Sequence, residues 1–402
     1  MDKDKINQMQ PDTQVVYSGR HPEAHGGAVN TPVYHVSTVL APSLTVWNAR
    51  SVARQNREPG MYYGRFGTPT IDALTEAIAQ LEGAQGSFVY PSGVAAVSSA
   101  LLSVLSAGDH VLMVDCVYSP TRQTIHRLLK RYGVSVTTIT SSADASIESA
   151  FQKNTKVVFI ESPGSLTFEM QDIPAICEIA HQQGAVVLAD TTWSTPLCCK
   201  ALHLGVDVAI NAATKYIVGH SDAMLGIASA NERCYEQLRQ TTYDLGQTAG
   251  PDDCYLAQRG LRTLSVRLQK HYQNAIKLVQ WLSEQPEVQT IRYPAWHQDP
   301  GYALWKRDFT GASGLFSVWL KPMDDDLLAH LIDHLQCFGI GASWGGYESL
   351  VMPFDLSHVR DEPNPAYAGR GLRFHAGLEN ADDLLNDLQQ GFDRMRQAKF
   401  AQ

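Results

Sequence analysis

The sequence predicts an α/β protein in two parts: a large domain built on a mostly parallel sheet, and a smaller α+β domain at the C-terminal end. Three observations carry that expectation. Apolar runs at residues 110–114, 156–160, 185–189 and 206–210 alternate with amphipathic or mixed segments such as 120–131 and 172–183, the rhythm of parallel strands covered by helices on both faces. After about residue 260 this rhythm stops, and Leu264, Leu268, Tyr272, Ile276 and Val279 fall at helical spacing on one long amphipathic helix. The length of 402 residues exceeds one simple core and suits about two or three domains.

Composition narrows the classes. Hydrophobic residues make up 44% of the chain and charged ones 18%, and no apolar run approaches the roughly eighteen residues of a membrane span. The 32 basic residues are outnumbered by 41 acidic ones, for a net charge of -9 without a basic tract, so nucleic acid is not an expected partner. The opening MDKDKINQMQPD is polar and lacks the apolar core of a secretory signal, which points to the cytoplasm. Seven cysteines, with Cys198 and Cys199 adjacent, do not form a disulfide pattern and are expected as reduced thiols. The 14 histidines show no zinc-type spacing with them, and no metal is expected.

Residues 1–67 lack sustained periodicity and are broken by Pro11, Pro22, Pro32, Pro42 and Pro59, so they read as an extended arm. The arm ends in MYYGRFGTP, which carries Tyr63 and Arg65 in a glycine-flanked loop. Thr68-Pro69 then starts a helix with Ile71, Leu74, Ile78 and Leu81 on one face, and Gly83 ends it. A short strand at 87–90 leads through Pro91-Ser92-Gly93 into a helix of small residues at 94–105. A glycine turn that opens a helix presents unpaired N–H groups and the positive dipole end, so Ser92, Gly93 and Val94 form a candidate phosphate cradle.

In a parallel sheet of this kind, ligands sit beyond the carboxyl ends of the strands. Past those ends come Tyr118, Glu161-Ser162-Pro163, Asp190 and Lys215. A lysine buried at a strand end loses proton affinity and becomes a nucleophile towards an aldehyde, and Thr214 beside it offers a hydroxyl to an anion. Each residue alone also suits an ordinary role: a solvated lysine, a helix-capping aspartate, a packed tyrosine. Their convergence on one sheet edge is what points to chemistry. Towards the C-terminus, GASWGGYESL places Ser343 and Trp344 before a glycine pair in a loop suited to line a pocket. In GLRFHAGLEN, Arg373 and His375 share one strand face; Arg373 can fork onto a carboxylate, whereas His375 has no chemical role to assign. Asn380 caps a last helix with Leu384, Leu388 and Phe392 facing inward.

The stretch DVAINAATKYIVGHS, residues 207–221, resembles the lysine-attachment signature of the Cys/Met-metabolism family of pyridoxal-phosphate enzymes. KYIVGHSDAMLG, RGLRTLSVRL, WKRDFTGASGLFS and SWGGYESL are similar to its bacterial cystathionine β-lyase branch. The resemblance implies a fold-type I transferase-like architecture: an arm at 1–67 contacting a partner subunit, a cofactor domain at 68–261 and a C-terminal domain at 262–402. It implies pyridoxal 5'-phosphate attached to Lys215, with Asp190 at the ring nitrogen, Tyr118 over the ring face, Ser92, Gly93, Val94 and Thr214 near the phosphate, and the Glu-Ser-Pro loop shaping the site. Tyr63 and Arg65 are then expected to reach the phosphate of a neighbouring subunit in a homo-oligomer, a dimer of dimers. Arg373 is expected to hold the carboxylate of an amino-acid substrate, beside Ser343 and Trp344.

The chain departs from that branch at Ala342, where tyrosine is expected, and at Phe66 (arginine), Gln123 (an acidic residue), Thr191 (asparagine) and Ala212 (serine). The γ-acting members carry glutamate in place of Ala342 and lack Trp344, so the resemblance favours β-elimination. Phe66, Gln123 and Ala342 match positions towards the distal end of cystathionine, and their uncharged side chains imply a distal pocket suited to an uncharged group. Three readings follow in order: β-elimination of L-cystathionine to homocysteine, pyruvate and ammonia; a β-lyase for another cysteine S-conjugate or cysteine itself; and a regulatory protein that keeps the cofactor without turnover.

Overall fold

The computed structural model describes residues 3–401 apart from 57, 59, 357–359, 361–366 and 368. The expected apolar runs become strands of a seven-stranded sheet: β1 (Gly86–Tyr90), β2 (His110–Val114), β3 (Ser135–Ile139), β4 (Thr155–Glu161), β5 (Val186–Asp190), β6 (Val208–Asn211) and β7 (Gly226–Ala230). Their order is β1-β7-β6-β5-β4-β2-β3. The pairs from β6 to β3 are all parallel, and β7 is antiparallel to both β1 and β6, so β1 also runs with the parallel set. The carboxyl ends of β1, β2, β4, β5 and β6 therefore share one edge.

Two strands escaped the sequence reading. β3, SVTTI, lies at the sheet margin and is only half buried beyond its exposed first residue, so it lacks an apolar run. β7, GIASA, is wholly buried but built of small residues. The reason is close approach: a Cβ at Gly226 would stand 2.1 Å from Ser92 O.

Local signals set the helices as expected. Thr68 Oγ1 accepts the Ile71 N–H at 3.3 Å to open the helix Pro69–Glu82, and Gly83 closes it with φ 71° in the left-handed region. Ser92 caps the helix Gly93–Val104 by accepting the Ala95 N–H at 3.2 Å. The arm differs from the extended chain expected, because it contains the helices Pro11–Tyr17 and Leu44–Gln55. The second of these buries none of its residues, so no core-facing stripe betrays it; Ser43 caps it instead, accepting the Val46 N–H at 3.2 Å. The arm is tied to its own chain where Arg262 donates to the carbonyls of Val15 and Ser18, each at 2.8 Å, and where Thr70 Oγ1 donates to Pro32 O at 2.8 Å.

The second sheet has the order β10-β11-β12-β9-β8, from β8 (Val288–Arg292), β9 (Leu315–Leu320), β10 (Phe338–Ile340), β11 (Ser349–Phe354) and β12 (Gly371–His375). The helices Leu264–Ser283 and Ala381–Ala401 pack together beside it, with the Trp281 and Phe392 rings 5.5 Å apart. Polar contacts join it to the first sheet's carboxyl edge. Trp193 Nε1 donates to Leu315 O at 3.0 Å, and the Gly314 N–H donates to the Tyr216 hydroxyl at 2.9 Å. Among the described residues no helix is long and apolar enough to cross a membrane. All seven cysteines are free thiols.

Candidate active site

A cavity of about 210 Å³ opens at the shared carboxyl edge and is closed from the other side by the second sheet. From the first sheet its wall takes Ser92, Gly93 and Val94 after β1, Tyr118 after β2, Glu161 at the end of β4, Asp190 at the end of β5, and Ala212, Thr214 and Lys215 after β6. Ala342, Trp344 and Arg373 face them from the second.

Beyond β6 the chain turns tightly, with Lys215 N–H donating to Ala212 O at 3.0 Å and Gly219 N–H to Lys215 O at 2.8 Å. Lys215 Nζ donates to Ser343 Oγ at 2.8 Å and lies 5.4 Å from the Trp344 ring centre. Burial, aided by the positive Arg373 and opposed by Asp190, pulls the amine down to about 8. About a tenth of it is thus unprotonated at pH 7, far more than for an ordinary lysine, as a nucleophile or base requires.

Asp190 Oδ1 accepts the Thr192 N–H at 2.9 Å and its hydroxyl at 2.5 Å. Its second oxygen makes no hydrogen bond among the described residues, although burial raises the carboxyl above its usual range. Glu161, opposite Asp190 in the β4–β5 register, accepts the Tyr118 N–H at 2.6 Å. Burial and the nearby Asp190 push that carboxyl well up. The Tyr118 phenol is raised by burial and lowered by Arg373.

At the helix Gly93–Val104 the first-turn N–H groups of Gly93 and Val94 lack intrahelical acceptors and line the cavity. Gly93 is required there, because a Cβ would meet the Ala212 methyl at 2.7 Å. Thr214 lines the cavity as well, but its hydroxyl already accepts the Leu225 N–H at 2.8 Å and donates to Leu225 O at 3.3 Å. Arg373 is buried on β12 and donates through Nη2 to Ala342 O at 2.5 Å and Ser343 O at 3.1 Å. Burial brings its guanidinium down to about 10, still charged at neutral pH.

Four expected residues lie away from this cavity in their own chain. Arg65 donates to Tyr243 O at 2.8 Å and stacks 4.3 Å from the centre of the Phe66 ring, which Arg54 approaches at 4.6 Å. Tyr63 is exposed, and Gln123 donates to Ser119 Oγ at 3.3 Å. Conversely, the cavity includes residues the sequence reading did not single out: Thr192, Trp193, Leu166, Phe168 and Met224. Leu166 and Phe168 hold positive φ of 67° and 51°, in the loop after Pro163-Gly164 that shapes one wall. Glu161-Ser162-Pro163 is the sequence's marker for this loop.

The donor set fits pyridoxal 5'-phosphate. A depressed lysine would suit the aldehyde, a carboxyl with one oxygen uncommitted the ring nitrogen, and a helix N-terminus with free N–H groups the phosphate.

Residues 12–393 match the family described as Cys/Met metabolism PLP-dependent enzyme. The cystathionine beta-lyase MetC of Escherichia coli is 42% identical over 391 residues, covering 96% of this chain and 98% of its own. The cystathionine beta-lyase of Salmonella typhimurium is 40% identical over 393 residues, covering 96% and 99%. A crystal structure of cystathionine gamma-lyase from Lactobacillus plantarum, complexed with L-serine, superposes with a TM-score of 0.87 at 30% identity, covering 96% of this chain and all of that one. The site's chemistry and these likenesses agree, and the chain belongs to the Cys/Met metabolism enzymes that depend on pyridoxal 5'-phosphate.

Proposed function

We propose that this protein is a carbon–sulfur β-lyase that cleaves L-cystathionine to homocysteine, pyruvate and ammonia. The observation that carries the proposal is Lys215: an amine brought down to about 8, in one cavity with Asp190, Tyr118 and Arg373. The choice of cystathionine draws support from the two bacterial β-lyases that match nearly the whole chain.

Bound pyridoxal 5'-phosphate supplies an aldehyde for the substrate amine and a ring that accepts the electrons left at the α-carbon. Arg373 pairs with the substrate α-carboxylate and fixes which bond faces Lys215. The Lys215 amine takes the α-proton, and Asp190 keeps the ring nitrogen protonated by pairing with it. As the β-carbon–sulfur bond breaks, Lys215 or Tyr118 gives a proton to the departing thiolate. The remaining three-carbon fragment takes up water and leaves as pyruvate and ammonia.

The same reading makes the protein a homo-oligomer, a dimer of dimers, divided into an arm (1–67), a cofactor domain (68–261) and a C-terminal domain (262–402). Supporting it are the placement of Arg65 away from its own cavity and the exposure of Leu44 and Trp47 on the arm. Residence in the cytoplasm suits seven free thiols. A second reading, β-elimination from a cysteine S-conjugate with an uncharged tail, is favoured by Ala342, which gives the cavity wall a methyl group. A cofactor-binding protein without turnover sits poorly with the complete lysine, aspartate, tyrosine and arginine set.

The test is pyruvate release by the cofactor-loaded protein, comparing kcat/KM for L-cystathionine, S-methyl-L-cysteine and an S-aryl-L-cysteine. Preference for cystathionine upholds the first reading. Preference for an uncharged conjugate transfers the function to the second, and absence of turnover by loaded protein sinks both.

A further inference from the structure

Strand β12 directs two buried polar side chains at one loop. Arg373 holds the carbonyls of Ala342 and Ser343. Two residues on, and so on the same strand face, His375 places Nε2 3.1 Å from Gly346 O and 3.2 Å from Gly345 N. The loop is gripped along its length. It presses on the reactive lysine throughout: Ser343 accepts from Nζ, Trp344 lies beside it, and Gly345 abuts its main chain. A Cβ at Gly345 would come within 2.8 Å of Lys215 C, and its φ of +89° favours glycine as well.

The hydrogen-bond directions can be assigned. The Tyr216 hydroxyl accepts the Gly314 N–H and lies 3.4 Å from His375 Nδ1. The Gly345 N–H donates to Nε2, so a neutral ring carries its proton on Nδ1, towards the Tyr216 hydroxyl. Burial keeps the ring neutral, down to about 4, and the cations Arg373 and Lys215 reinforce that state; the Gly346 carbonyl opposes it. The neighbouring His271 ring, 5.0 Å away, is likewise held neutral by burial.

Both N–H groups of Arg373 Nη2 are within reach of a loop carbonyl, so a substrate carboxylate that takes one of them displaces a carbonyl of the loop. We propose that His375 is the positioning residue that keeps the 342–346 loop, and with it Ser343 and Trp344, seated on Lys215 when Arg373 turns to the substrate. The proposal rests on the reading of Lys215 as the reacting amine and Arg373 as the carboxylate clamp.

The test compares His375→Gln, whose amide oxygen can accept the Gly345 N–H from near the Nε2 position, with His375→Leu, which cannot. Two quantities are measured: hydrogen–deuterium exchange of the peptide spanning 342–348 without substrate, and the separate kcat and KM for L-cystathionine. In the leucine variant we expect exchange in that peptide about tenfold faster with other peptides unchanged, and kcat lowered about tenfold with KM moving less than about threefold. Glutamine should return both to within about threefold of wild type. Wild-type exchange or kcat in the leucine variant, or a glutamine variant as impaired as leucine, overturns the proposal. Should leucine prevent folding, His375→Asn, whose amide stops short of the Gly345 N–H, replaces it with the same outcomes. A wild-type enzyme inert towards L-cystathionine overturns the function reading alone, because selective loosening of 342–348 still supports the clamp.

Discussion

The sheet edge and the arm supply the site in opposite ways. At the edge, each group is fixed by a near neighbour: Thr192 holds Asp190, Glu161 holds the Tyr118 main chain, and Ser343 meets Lys215. In the arm, Tyr63 is exposed, Arg65 leans on Tyr243, and the helix Leu44–Gln55 buries none of its residues. The groups whose protonation state matters are held in a low-dielectric wall within one chain, where a small displacement changes a pKa. A cation that only neutralises phosphate tolerates looser placement and can come from a surface element. On our reading, the contrast teaches that the proton chemistry is complete in one chain, whereas phosphate binding is completed by two.

The largest effect is expected at Lys215. Lys215→Ala removes both the cofactor attachment and the base, so pyruvate release should fall by at least about 10³-fold, with loss of the visible absorbance of lysine-attached cofactor. Retention of that absorbance would break the assignment. Asp190→Asn should follow, with kcat down about 10²-fold, the cost of losing a charge-assisted hydrogen bond of about 2–3 kcal/mol, while the fold persists by circular dichroism. An arm change should instead act on affinity: Arg65→Ala is expected to weaken cofactor retention about tenfold, measured by dialysis, with kcat nearly unchanged once loaded.

A mixing experiment sharpens the contrast directly. If the arm serves a neighbour's cavity, a dimer of one Lys215→Ala chain and one Arg65→Ala chain contains one intact site and one doubly damaged site. Refolding equal amounts together should then restore about a quarter of wild-type activity at limiting cofactor, since about half the dimers are mixed and half their sites are whole. Activity no greater than that of the Arg65→Ala chains alone would mean that the arm works on its own chain.

How much of this was legible in the sequence follows from the same contrast. β2, β4, β5 and β6 are buried on both faces and so read as continuous apolar runs; Lys215, Asp190 and Arg373 sit at their ends or on a clean alternating strand. β3 was hidden by its marginal place and β7 by its small residues. The helix Leu44–Gln55 was hidden because its apolar residues face away from this chain, and a period reports a core only where one is packed. The contacts that set the site's electrostatics were also illegible, being long-range. Arg373 meets a loop 31 residues away at Ala342, and Glu161 meets Tyr118 across 43 residues. The hydroxyl of Thr214, expected at an anion, is engaged by Leu225, 11 residues on, through a turn the sequence does not announce.

The smallest effect probes how firmly the sheet edge is fixed beneath Lys215. Glu82, fully buried at the end of the helix Pro69–Glu82, accepts from Asn211 Nδ2 at 3.3 Å, and Asn211 is the last residue of β6. Burial raises this carboxyl to about 8, with Asn211 and Lys200 opposing, so the fold holds its protonated form. Because the folded pKa lies above the unfolded one, the resulting stabilisation is complete below about 4.5 and is lost as pH rises through about 8. Glu82→Gln keeps the shape and the acceptor for Asn211 but has no proton to lose. At pH 5 the variant should match wild type within about 1 kcal/mol in urea unfolding. By pH 8 it should be the more stable of the two by about 2 kcal/mol or more, since one such group changes stability by about 1.4 kcal/mol per pH unit inside its window. An equal difference at both pH values would mean that Glu82 is ionised in the fold, and that the support under β6 is a buried charge rather than a neutral hydrogen bond.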